Sequence, residues 1–146
     1  MNNRFVVLSA LLILFGFTAP TFAQDAAVLK IENATKAKGK YAILASQDNH
    51  LMGGIMTGLK LKNESDQVQF QVVLAGPVVK NLTHDQDLIN MVNQAAKANI
   101  PVLVCEIAMQ KLGVSKNDLP QHIQVTTNAY LYMFGLQEKG FTALMP

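Results

Sequence analysis

A single cysteine, Cys105, closes the apolar run Pro101-Val102-Leu103-Val104, and a helix-like segment from Glu106 to Leu112 follows it to a stop at Gly113. If the run is a buried strand, the thiol stands where strand meets helix. Backbone N–H groups and the positive end of a helix dipole meet there and raise the thiolate fraction of a cysteine. Glu106 opposes this, because an adjacent negative charge disfavours the thiolate. A packed, inert cysteine fits the same place, since unpaired cysteines are commonly buried. The residues alone leave both readings open.

Other chemistry has less support. A cysteine–histidine hydrolase needs an imidazole in hydrogen-bond reach and a third group to orient it. His50 and His84 are the candidates, but no local signature ties either to Cys105. A zinc site from Cys105, His50, His84 and Asp48 is weaker still, because the four are scattered without ligand spacing. Gly53 and Gly58 suggest a phosphate loop, but Leu59 stands where its lysine is required. Ala75-Gly76-Pro77 likewise fails the G-x-G-x-x-G pattern of a dinucleotide site. No metal and no cofactor is expected.

The elements that must position these groups follow from periodicity. Lys40–Ser46, Val68–Leu74, Ile100–Cys105, Ile123–Thr126 and Phe141–Met145 read as five short apolar strands. Between them, Leu51, Ile55 and Leu59 mark one amphipathic helix, with Asp48 or Asn49 as its cap. Leu88, Ile89, Val92, Ala95 and Ala96 mark a second, for which Thr83 and Gln86 suggest a capping box. Ala129–Leu136 is apolar nearly all round, which implies burial or a subunit contact. Strands alternating with helices through short connections imply right-handed crossovers. The expected fold is a three-layer α/β/α sandwich on a mainly parallel five-stranded sheet, of flavodoxin- or Rossmann-like type.

In such a sheet, ligands bind beyond the carboxyl ends of the strands. That edge collects Cys105 with Ser46, Asp48, His50, Gly76, Pro77, Glu106 and Thr127 as crevice-lining residues. His122 precedes the fourth strand and falls on the opposite edge.

Composition bounds the class. Arg4 precedes an apolar run from Phe5 to Phe17, and Thr18–Ala23 carries the small residues of a cleavage site after Ala23. This is the layout of a secretory signal peptide over residues 1–23, with export, most simply to a bacterial periplasm. Residues 24–39 read as an N-terminal arm, and 40–146 as one α/β domain. Arg4 is the only arginine, so residues 24–146 carry 11 lysines against 10 acids. That balance gives no electrostatic case for nucleic acid. No later run approaches the ~20 apolar residues of a membrane span, so no membrane attachment is expected after cleavage. One cysteine also excludes an internal disulfide.

The spacing Cys105, Ala108, Gly113, the turn Ala75-Gly76-Pro77-Val78-Val79 and the ending Leu136–Pro146 together resemble the DsrE family, over about Lys40 to Pro146. The family includes the sulfur-relay proteins DsrE and TusD and their relative YchN. The resemblance implies a compact α/β fold and assembly with itself as a homotrimer or homohexamer. It also implies that Cys105 carries sulfane sulfur as a persulfide, exchanged with a thiol donor or acceptor protein. The chain departs from the pattern at Leu112-Gly113, where relay members have arginine-glycine, and in its expected export. The rival reading is a non-catalytic oligomeric small-ligand-binding module in which Cys105 is structural.

Overall fold

The computed structural model describes residues Asp25–Pro146. The expected signal peptide lies outside the described residues. Contacts divide the chain into two units, residues 1–34 and 35–146. In the first, Ala26–Glu32 forms helix α1, capped by Asp25, whose carboxylate accepts from the Ala27 N–H at 2.8 Å. The segment expected as an arm therefore holds two turns of helix.

The second unit alternates strand and helix. β1 (Lys40–Ala45), α2 (Asp48–Glu64), β2 (Gln69–Leu74), α3 (Val78–Asn81) and α4 (Gln86–Lys97) come first. β3 (Val102–Cys105), α5 (Glu106–Leu112), β4 (Gln124–Thr126), α6 (Ala129–Glu138) and β5 (Thr142–Leu144) complete it. All strand pairs are parallel, in the order β4-β3-β2-β1-β5. The expected five-stranded parallel α/β fold is what forms.

The register shows how side chains divide between the two faces of the sheet. Ile43 meets Gly54 of α2, and Phe70 meets Gly58, so Tyr41, Ile43, Ala45, Phe70, Val72 and Leu74 share the α2 face. Through Val72↔Val102 and Leu74↔Val104, the alternate positions Leu103 and Cys105 point to the other face. Helix α6 lies there, and its Tyr132 hydroxyl donates to Gln71 Oε1 at 2.8 Å. Strand β3 is buried throughout, and β1 and β2 are buried over their carboxyl-terminal halves. The edge strands β4 and β5 are only three residues long, which limits the unpaired backbone open to another chain.

Gly58 explains how α2 sits so close to the sheet. A Cβ at this position would approach Phe70 Cδ1 to 2.6 Å, so the small residue is what lets the helix seat on the ring. Local boundaries differ from the sequence reading in three places. Helix α2 begins at Asp48 behind Gln47, so Asp48 is helical rather than a cap. Thr83 does not cap α4, because its hydroxyl donates to the Lys80 carbonyl at 2.8 Å. Asp85 caps instead, accepting from the Asp87 and Leu88 N–H groups. The turn after Pro77 coils into the single-turn helix α3.

Candidate functional site

Cys105 is the last residue of β3 and the N-cap of α5, with extended backbone angles and no capping bond from its side chain. Its side chain is held on the α6 face, where Cys105 pairs with Thr126. The chain then turns through Thr127 into α6, whose first N–H groups have no partner within the helix. Asn128 Oδ1 accepts from Tyr130 at 2.9 Å and from Leu131 at 3.3 Å. The remaining N–H, that of Ala129, donates to Cys105 Sγ at 3.4 Å. The thiol thus completes the cap of α6 while standing at the start of α5. An N–H donor and a helix N-terminus both favour negative charge on the atom they face. Cys105 is 6% exposed, so this environment is almost closed to water.

The neighbouring strand ends are tied into one edge. Gly76 follows β2 with φ +86°, and a Cβ there would lie 3.2 Å from the Ser46 carbonyl oxygen. That carbonyl accepts from Val78 at 3.3 Å, which draws Pro77 and α3 over the end of β1. Asn81 then donates Nδ2 to both carboxylate oxygens of Asp48, at 3.0 and 2.8 Å. Helix α3 packs against α5, whose first residue, Glu106, is exposed. Ser46, Asp48, Gly76 and Pro77 therefore form one connected edge next to α5. Thr127 is exposed in the turn that brings Ala129 to the sulfur.

His50 is not in that group. It lies in the first turn of α2, on the sheet face opposite the Cys105 side chain, and lines a cavity with Ile43, Gly53, Leu144 and Met145. Strand β2 also separates β1 from β3. His84 is exposed, with Nδ1 3.3 Å from Thr83 Oγ1. His122 lines a groove with Pro101 and Val102 at the other edge of the sheet. No three His, Cys, Asp or Glu side chains among the described residues gather as a metal site. No described helix is long and apolar enough to cross a membrane.

Two partners escaped the sequence reading. Asn81 is one, and Ala129 is the other. The Asn128-Ala129 start of α6 is visible as a helix cap, but its approach to a sulfur 24 residues earlier depends on the β3–β4 register.

A parallel α/β sandwich with one thiol at a strand–helix junction defines the class. The sequence model of the DsrE/DsrF-like family matches residues 13–144, and the chain belongs to that family. Solved structures share its fold. The protein of unknown function MTH1491 from Methanobacterium thermoautotrophicum is 17% identical, with a TM-score of 0.63 over 73% of this chain and 96% of its own. The YchN protein from E. coli is 16% identical, with a TM-score of 0.61 over 74% of this chain and 99% of its own. BT1422 from Bacteroides thetaiotaomicron, a conserved protein of unknown function, is 21% identical, with a TM-score of 0.62 over 78% and 100%. A search of curated proteins gave no match.

Proposed function

We propose that the chain is an exported sulfur carrier, with Cys105 as the residue that holds the sulfur. Membership of a family associated with sulfur relay supports this, and the observation that carries it is the Ala129 N–H directed at Cys105 Sγ. In the first step the Cys105 thiolate attacks the outer sulfur of a donor persulfide, R–S–SH. The donor S–S bond breaks, R–S⁻ leaves, and Cys105–S–SH forms. An acceptor thiolate then attacks the outer sulfur in turn, taking it as R′–S–SH and returning the Cys105 thiolate. No net oxidation occurs, and the rate depends on thiolate character and access.

The same reading makes residues 1–23 a signal peptide and the protein a homo-oligomer, a trimer or hexamer. The outer face of α6 fits such a contact, since Tyr130, Leu131 and Phe134 are all more than half exposed. Ser46, Asp48, Gly76, Pro77, Glu106 and Thr127 would line the approach to the sulfur, and a thiol protein would be donor or acceptor.

Burial of Cys105 favours a second reading, in which the thiol is packing and the protein is a non-catalytic oligomeric ligand-binding module. Persulfide-specific labelling after exposure to a sulfane-sulfur donor separates the two. Wild type should label and Cys105→Ser should not. A native protein that never labels, and whose thiol reacts only after denaturation, would establish the packing role. N-terminal sequencing of protein recovered from the periplasm should begin at Gln24, and sedimentation should give the mass of a trimer or hexamer.

A further inference from the structure

Cys105 is 6% exposed, and Ala129, whose N–H donates to its sulfur, is 1% exposed. With so little of the residue open to water, a donor persulfide reaches Sγ only after a neighbouring segment moves. The two helices that flank the thiol are anchored differently. On the α5 side, Ala108, Met109 and Val114 are all buried in the core, and β3 is buried throughout. On the α6 side, Ala129 is the only buried residue between Gln124 and Tyr132. The next anchors, Met133 and Leu136, lie a turn or more further along the helix. A stretch with one small buried side chain opens locally at a lower free energy than the core around it.

Three hydrogen bonds close the first turn of α6. Two run from the Tyr130 and Leu131 N–H groups to Asn128 Oδ1, and the third from Ala129 to Cys105 Sγ. Sulfur is a weak acceptor, so the Asn128 side chain contributes most of the closure.

We propose that the first turn of α6 is a lid over Cys105, and that Asn128 is the positioning residue that keeps it shut. Opening withdraws the Ala129 N–H from the sulfur and admits the reacting thiol or persulfide. Closing restores the cap and takes the sulfur out of water. The proposal rests on Cys105 as the sulfur-carrying residue and adds how that residue is reached.

The test is the rate at which iodoacetamide alkylates the whole folded protein, at fixed pH and in urea below the unfolding transition. Cys105 is the only cysteine, so the thiol followed is this one. A slow reagent reports the population of the open state. The expected result is a rate nearly independent of urea at low concentration, because a lid exposes little surface. Asn128→Ala should raise that plateau about fivefold, the effect of a lost cap. Asn128→Ser, which caps as well and adds no charge, should return it to the wild-type value. Asp85→Ala removes an equivalent cap from α4, which packs against α2, and should leave the plateau unchanged. A wild-type rate that climbs with the full unfolding slope from zero urea overturns the lid. So does a plateau that Asn128→Ala leaves unmoved, or that Asp85→Ala raises equally. If Asn128→Ala fails to fold, the urea dependence of the wild-type rate decides. Persulfide labelling is a separate readout. Gated alkylation without labelling sinks the carrier reading and leaves the lid standing, whereas labelling with ungated alkylation sinks the lid alone.

Discussion

The two ends of the sheet edge are built in opposite ways. Around Cys105, hydrogen bonds tie the segments together: Ala129 reaches the sulfur, Asn128 caps α6, and Asn81 holds Asp48 by both oxygens. Around His50, a ring nitrogen has none, a helix glycine faces open space, and two large apolar side chains are exposed. A tightly bonded edge holds its side chains in fixed positions, while the open one leaves apolar surface uncovered. Proximity to the strand ends does not by itself distinguish the two.

Substitutions can break this comparison. The largest effect is expected at Gly76→Ala, which places a side chain at φ +86° and 3.2 Å from the Ser46 carbonyl. A loss of about 1–3 kcal/mol, read by chemical denaturation, is expected from strain at a left-handed position. Stability within a few tenths of wild type would mean the Cys105 edge is looser than its geometry suggests. Asn81→Ala should come next. It leaves the partly buried Asp48 carboxylate to water alone and should cost about 1 kcal/mol. At the open edge the sign reverses. Gly53→Ala meets no neighbour and should stabilise α2 by up to about 1 kcal/mol. The same change at Gly58, closer than 3 Å to Phe70, should destabilise despite the identical gain in helix propensity.

The smallest effect is one of pH. Burial pushes the Tyr132 phenol up from its usual value near 10. Its folded form therefore favours the neutral hydroxyl, which donates to Gln71. That stabilisation is fully present below the unfolded value and is lost as pH rises through the folded one. Thermal unfolding should fall more steeply above about pH 10 in wild type than in Tyr132→Phe.

The sheet was legible because each strand is a short apolar run between turn residues, and the structure moves their boundaries by no more than two residues. The helix starts were less so. Thr83, Asp85, Asp48 and Asn49 are all competent caps, and which one caps depends on where the preceding chain leaves the sheet. Thr83 lost to Asp85 because turns following α3 carry the backbone past it, with the Asp85 N–H on the Asn81 carbonyl, and its hydroxyl turns back to Lys80. Gly53, Gly54 and Gly58 all stand inside α2, where glycine is a poor helix former. Only the packing separates Gly58, pressed on Phe70, from Gly53, pressed on nothing. His50 shared an edge with Cys105 in sequence terms, but pleat direction assigns them to opposite faces. That assignment needs the register, which no short-range pattern contains.

The strand order has a consequence for the life history of the molecule. β1, the first strand made, lies between β2 and β5, the last. Its outer neighbour pairs through Tyr41, Ala42 and Ile43 with residues about a hundred positions later, so this side of β1 stays unpaired until β5 reaches it. Such distant pairing is slow to form. Until Thr142–Leu144 pair, that side of β1 presents unpaired backbone N–H and C=O groups to any other chain, which makes partly folded molecules prone to aggregate.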